Sequence, residues 1–440
     1  MNVTRRVFLG ACGISIAASQ GRTRPNIVFI LSDDHHFQAA GFAGNTKIQT
    51  PNLDALAKRG TVFSNAISSS PQCAPSRGIL LTGLEPFRTG VLSNHSRRFT
   101  TAMAPTAIAQ LKSSGYETSL IGKWQTPNSP SDLGFSNAPL WVNTNDQSEP
   151  PYLMLKGIAG KEALKVEDAN EAFAQAAAEY PSGVKQKPFF LFLSLLSSRI
   201  ALPIEDKFLQ RYKGTQPDAL APPNQDPEGK KFGWKRYYAN ISKLDDCIGR
   251  VVGALEKSGE LANTVLFFSG DNGYLCGSHG KLGKVYPWEA ALRVPMFATG
   301  VGVKSGNVID APVSTSDLPA TWLALAGVKP VAALAGRSLM STLETGKPVT
   351  NESFAMWCEP AKEYGRGLEQ YRIVRTRTHK LVQWQSGGVE LYEWPNDPHE
   401  KRNLTGDPSS QKVLGQLKRK LEARMAERKD PFLAPGPAGD

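Results

Sequence analysis

Three runs in this chain are apolar along nearly their whole length and then stop abruptly on polar residues. Asn26-Ile-Val-Phe-Ile-Leu31 ends in Ser32-Asp33-Asp34, and Thr264-Val-Leu-Phe-Phe-Ser-Gly270 ends in Asp271-Asn272-Gly273. Pro188-Phe-Phe-Leu-Phe-Leu-Ser-Leu-Leu196 runs into Ser197-Ser198. A strand without apolar/polar alternation has no face to give to water. It must be covered on both sides, as in a parallel sheet sandwiched between helices. Ligands of such sheets collect at the carboxyl ends of the strands. Asp33, Asp34, Asp271 and Asn272 are thereby predicted at one rim. Each motif alone also fits a turn or a helix cap. Together, three carboxylates and an amide form a hard oxygen set, suited to Ca²⁺ or Mg²⁺ rather than Zn²⁺.

Helix signals alternate with these runs. Thr50-Pro51 to Gly60 has a Pro at the first helical position and a terminating Gly. Pro105 to Gly115 follows, then a strand at Glu117–Ile121 and a helix around Glu167–Glu179 within an otherwise loop-like stretch, 126–187. Residues 203–230 are Pro-rich and read as surface loop. From Trp234, Ile241, Leu244, Ile248, Val251 and Leu255 recur at helical spacing. Val294–Ala298 reads as a strand and Asp317–Ala326 as a helix. This alternation predicts an α/β fold with a doubly wound, mostly parallel sheet. After about residue 345, four short strand candidates appear, with a hairpin at Gly387-Gly388, before a helix carrying Leu414, Leu417, Leu421 and Met425. The basic side of that helix (Lys418, Arg419, Lys420, Arg424, Arg428) reads as a solvated face. The expected division is an export segment at 1–21, an α/β domain at 22–345 and a small antiparallel sheet plus helix at 346–440.

Between the first two helix signals lies Pro71-Gln-Cys73-Ala-Pro75-Ser76-Arg77-Gly-Ile-Leu-Leu81-Thr-Gly83. Cys73 precedes an apolar run, which places it at a helix start. Unpaired N–H groups and the positive dipole end there favour an anionic reacting centre. Arg77 returns to the same face one turn later. Taken alone, the pair better describes a buried structural cysteine beside a surface arginine, since free cysteines are mostly small core residues.

Composition narrows the setting. With 51 Lys+Arg against 40 Asp+Glu, the formal charge is +11, a surplus that attracts polyanions such as sulfated polysaccharides or nucleic acid. The start, Thr4-Arg5-Arg6-Val-Phe8-Leu9 followed by small and apolar residues, reads as a twin-arginine export signal, too short to span a membrane. The predicted location is therefore periplasmic or extracellular in a bacterium, without stable membrane insertion. The five cysteines show no CxxC pair and no disulfide framework.

The stretch Cys73-Ala-Pro75-Ser76-Arg77 with Leu81-Thr-Gly83 resembles the signature of the type I sulfatases. Gly122-Lys123, Lys284, Trp288-Glu289 to Arg293-Val-Pro295, and Leu391-Tyr-Glu to Asp397-Pro-His-Glu400 with Asn403-Leu404 extend the resemblance over nearly the whole mature chain. It implies an alkaline-phosphatase-like fold and hydrolysis of a sulfate ester, expected on a sulfated glycan and not on nucleic acid. It also implies oxidation of Cys73 to formylglycine by a formylglycine-generating enzyme, and a divalent cation, Ca²⁺ or Mg²⁺, on Asp33, Asp34, Asp271 and Asn272. Arg77 and Lys123 would serve catalysis and Lys284 would hold sulfate. Two family histidines are replaced here by Gln125 and, after the 188–196 strand, by the segment containing Arg199. Both residues are candidate substrate contacts, but Gln125 cannot shuttle protons and Arg199 is a poor acid. His279, with His35, His36 and His95, is a candidate stand-in for the lost acid. A phosphate or phosphonate ester hydrolase of the same superfamily, or a non-catalytic glycan-binding relative, are the competing expectations.

Overall fold

The computed structural model describes residues 24–96, 99, 105–143, 153–156, 163–166, 168–183, 187–196, 204–222, 227–360 and 368–433. The export segment and Arg199 lie outside the described residues. The sixteen strands of the described residues are β1 (Asn26–Ser32), β2 (Gly60–Phe63), β3 (Ala66–Ile67), β4 (Glu117–Lys123), β5 (Asn137–Val142), β6 (Leu153–Lys156), β7 (Ala163–Val166), β8 (Phe189–Leu195), β9 (Thr264–Gly270), β10 (Met296–Gly300), β11 (Asn307–Ile309), β12 (Val313–Ser314), β13 (Glu352–Trp357), β14 (Tyr371–Thr376), β15 (Lys380–Trp384) and β16 (Val389–Tyr392). The helices that matter here are α1 (Pro51–Lys58), α2 (Cys73–Thr82), α3 (Ala107–Ser113), α4 (Ala169–Glu179), α5 (Trp234–Lys257), α6 (Asp317–Leu325) and α7 (Gln411–Arg428).

Ten strands form one sheet in the order β11-β2-β10-β9-β1-β8-β4-β5-β6-β7. Its centre is parallel: β1 pairs with both β8 and β9, and β4 with β8 and β5. β10 runs antiparallel to β9. Every residue of β1, β8 and β9 is buried, as the unbroken apolar runs demand. The pleat sends alternate side chains to opposite layers. Ile27, Phe29 and Leu31 pack with Leu80 and Leu81 of α2, Ile108 and Leu111 of α3, and Trp322 of α6. Val28 and Ile30 pack with Leu53 of α1, Phe173 of α4, and Leu244 and Ile248 of α5.

The second sheet, β13-β14-β15-β16, is an antiparallel meander. Leu414, Leu417, Leu421 and Met425 of α7 cover one face, against Val374, Leu381 and Leu391. The other face, through Ala355, Trp357, Tyr371, Ile373 and Val382, packs on Ile67, Val285 and Leu292 of the large unit. Among the described residues, no helix is long and apolar enough to cross a membrane.

Three expectations need correction. The stretch 126–187 is not merely loop plus helix, because β5, β6 and β7 extend the sheet there. Two of these strands, β6 and β7, are only four residues long, too short for an alternation to show in the sequence. The Pro-rich stretch 203–230 is not simply a surface loop: Phe208, Tyr212 and Leu220 join Trp234 and Tyr238 in a buried cluster. Nor is the basic side of α7 wholly solvated, since Arg428 pairs with Glu85 and Arg424 donates to Ala335 O.

Candidate active site

The pairing of β1 with β9 assembles the site. Ser32 stands opposite Gly270 in that ladder, so Asp33-Asp34 and Asp271-Asn272 leave the sheet side by side. Backbone bonds fix them: Asp271 N–H donates to Ser32 O at 3.0 Å, Asp33 N–H to Leu195 O at 3.2 Å, and His35 N–H to Asn272 O at 3.1 Å. Asp34 N–H donates to Asp271 Oδ1 at 3.1 Å, and the Asn272 amide donates to Asp34 Oδ1 at 2.8 Å. All four side chains are buried.

Cys73 is the first residue of α2, after an extended Gln72. Asn94 secures this turn: its Oδ1 accepts from Ala74 N–H at 2.9 Å, and its own N–H donates to Gln72 Oε1 at 3.0 Å. The Cys73 sulfur lies 3.2 Å from Asp33 Oδ1 and 3.9 Å from Asp34 Oδ1. Lys284 Nζ stands 2.6 Å from it and Lys123 Nζ 3.5 Å. The lysines also bind the carboxylates, Lys123 donating to Asp33 at 2.5 Å and Lys284 to Asp34. Arg77 turns its guanidinium onto the framework. It donates to Asp271 Oδ2 at 2.9 and 3.1 Å, to Lys123 O at 2.9 Å and to Ser194 Oγ at 2.6 Å. It thus ties the ends of β4, β8 and β9 together.

The electrostatics follow from burial. Desolvation, with the charges of Asp271 and Asp33, pushes the Cys73 thiol well above its usual range, against the two lysines. Asp271 is pushed up to about 6 by burial and by the neighbouring Asp33 charge. Burial works against the Lys284 ammonium, but the charges of Asp34, Cys73, Asp33 and Asp271 together outweigh it and hold that group well above its ordinary value. One ligand atom each from Asp33, Asp34, Cys73 and Asp271 lies within 4.8 Å of the others. Asn272 Oδ1, beside them in sequence, is buried without a hydrogen-bond partner. A hard cation fits this oxygen-rich set and would satisfy that carbonyl.

Not every candidate joins the cluster. Gln125 is buried with a left-handed backbone (φ 52°), and its Oε1 has no hydrogen-bond partner. His279 stacks on Trp288 with ring centroids 4.0 Å apart. The His35 ring nitrogens are occupied by Ser32 Oγ and Ala39 O, each at 2.8 Å, and His36 Nδ1 accepts from Gln38 N–H. His95 is exposed. Sequence reasoning missed Ser194 and Asn94. Ser194 carried a signal, as a lone hydroxyl near the carboxyl end of an apolar run.

The sulfatase family model matches residues 25–328 and that for the N-sulphoglucosamine sulphohydrolase C-terminal region matches 277–427. An ulvan-active sulfatase of Formosa agariphila is 28% identical over 435 residues, covering 93% of this chain and 83% of the relative. An N-acetylglucosamine-6-O-sulfatase of Bacteroides thetaiotaomicron is 25% identical, covering 92% and 87%. A solved structure of a protein in complex with its substrate D-glucosamine-2-N,6-O-disulfate superposes with a TM-score of 0.81 at 22% identity, covering 94% of this chain and 100% of that one. The layered sheet is thus the alkaline-phosphatase-like fold expected. With a family model spanning well over half of the chain and the cysteine, lysines and carboxylates of its signature in one buried cluster, the chain belongs to the type I sulfatases and is a sulfuric ester hydrolase.

Proposed function

We propose that this enzyme removes O-sulfate from a sulfated glycan at a formylglycine made from Cys73, with a divalent cation, Ca²⁺ or Mg²⁺, on Asp33, Asp34, Asp271 and Asn272. The observation that carries the reading is the position of the Cys73 sulfur, within 2.6 Å of Lys284 Nζ and 3.2 Å of Asp33 Oδ1, at the first turn of α2. When bound, the cation would act as Lewis acid and template for a sulfate oxygen. The matured side chain would supply a hydrated aldehyde oxygen as nucleophile. The chain's own residues do the rest. Lys123 and Lys284 hold sulfate oxygens and meet the charge that develops on them, in a site dry enough for that attraction to count. Arg77 positions Asp271 and Lys123. Gln125 is assigned a hydrogen bond to the substrate.

A glycan substrate is supported by the sulfatase relatives named for ulvan and N-acetylglucosamine, and by the net charge of +11. Export to a periplasmic or extracellular location, from the signal-like start, agrees with such a substrate, as does maturation by a formylglycine-generating enzyme. The donor cluster holds no histidine among the described residues, which disfavours a two-zinc phosphatase.

The test is mass spectrometry of the tryptic peptide Gly60–Arg77 from cells that also make a formylglycine-generating enzyme, with sulfate release scored on a panel of sulfated glycans. Conversion of Cys73, loss of at least about 10³-fold activity in Cys73→Ala, and loss on exhaustive chelation are expected. Undiminished sulfate release by Cys73→Ala would remove the nucleophile assignment.

A further inference from the structure

We propose that Tyr371, from the small C-terminal sheet, is a positioning residue for Lys284. The inference rests on the reading of Lys284 as a sulfate-holding group. Five of the seven non-glycine residues with positive φ among the described residues, Asp34, Gln125, Cys276, His279 and Val285, follow β1, β4 or β9 around the site. Val285 is the most unusual, at φ 76°. A β-branched side chain crowds its own backbone there, so the conformation persists only where surrounding structure imposes it.

Both peptide groups of Val285 are held. Its N–H donates to Pro71 O at 3.0 Å, two residues before Cys73. Its C=O accepts the Tyr371 hydroxyl at 2.7 Å. Its side chain is fully buried against Trp357, Tyr371 and Ile373. The small sheet grips the same loop at two further points. Lys380 Nζ donates to Pro287 O at 2.5 Å, and Arg375 donates to the Glu289 carboxylate at 2.6 and 2.9 Å. Glu400 accepts from Glu289 N–H at 2.7 Å. Lys284 immediately precedes this clamped, strained peptide. The Tyr371 bond therefore fixes the direction in which Lys284 leaves the loop toward Cys73, and the small sheet is part of the catalytic apparatus.

The test compares wild type with Tyr371→Phe, Val285→Gly and the double variant, by crystallography, melting temperature, and kcat and KM for sulfate release from 4-nitrophenyl sulfate. Tyr371→Phe keeps the ring and removes only the hydroxyl. In it, Lys284 Nζ should move beyond 3.5 Å from the Cys73 position, and kcat should fall about tenfold with KM within about twofold. Glycine adopts positive φ freely, so Val285→Gly in the Tyr371→Phe background should recover at least half of the logarithmic loss. An unmoved Lys284 in Tyr371→Phe overturns the proposal. So does a fall in active fraction and melting temperature without rescue, the mark of a purely structural tyrosine. If wild type releases no sulfate, or Lys284→Ala costs nothing, the parent reading of Lys284 fails, and the crystallographic position of Lys284 alone decides the positioning claim.

Discussion

Asp33, Asp34 and Asp271 crowd three carboxylates into one buried space, an arrangement that stands only because cationic side chains enter with them. Lys123, Lys284 and Arg77 fill that role here, each within salt-bridge distance of at least one of the three. Removing one cation would strand a buried charge, which costs about 3–5 kcal/mol. The same physics without a cation partner in contact appears at Asp317, the first residue of α6. Burial raises its carboxyl to about 6 from an ordinary 3.8, against the Arg337 and Ser314 N–H groups it accepts and the more distant attraction of Arg337 and Arg424. The folded state therefore holds its proton more tightly than the unfolded chain. The stability this contributes is complete below about pH 4 and is lost as pH rises through about 6, to the extent of about 3 kcal/mol. Asp317→Asn lacks this dependence. The stability gap between wild type and variant, measured by urea denaturation, is expected to be larger at pH 4 than at pH 7. A constant gap would contradict the assignment.

At the scale of elements, the site depends on how closely β4 approaches β8. Gly122, with φ 113°, precedes Lys123, and a Cβ placed there would lie 1.9 Å from Ser194 O. That contact is with backbone, which cannot swing aside. Ser194 also receives Arg77 through its hydroxyl. Gly122→Ala should therefore separate two central strands and displace Lys123 and Arg77 together. The expected loss is at least about 3 kcal/mol in denaturant unfolding, and sulfate release should fall further than the loss of folded protein explains. The helices of that layer are more forgiving where α1, α4 and α5 meet the sheet through many interchangeable apolar contacts, but α5 also reaches the site, its Tyr237 hydroxyl donating to Asp34 O at 2.8 Å.

At the scale of the molecule, the two sheets share one apolar cluster and one buried charge network. Ile67, Val285 and Leu292 pack on Trp357, Tyr371 and Ile373, while Glu289 pairs with Arg375, and Lys380 with Glu400. A chain ending at residue 345 would expose that cluster and strand Glu289. It is expected to be insoluble or to lack a cooperative melting transition, whereas the full chain should melt in one transition by calorimetry. Much of this organisation is legible in the sequence. The apolar runs at 26–31, 189–195 and 264–268 admit no environment other than the middle of a sheet. Their polar ends place Asp33, Asp34, Asp271 and Asn272 at one rim, and the Cys73 signature marks the helix that faces them. Less legible were β5 to β7, two of them only four residues long and so too short to show a pattern, and the partners of individual side chains. Gln125, His279 and His35 look equally available as letters, yet each takes a different place: a buried amide, a ring stacked on Trp288, a hydrogen-bonded core residue. Burial pattern is a local property, written in the order of residues and readable from it. That Val285 is held in a strained conformation by Tyr371, 86 residues away, and that Arg77 faces Asp271 rather than solvent, depends on contacts between distant segments, which only the packed chain brings together.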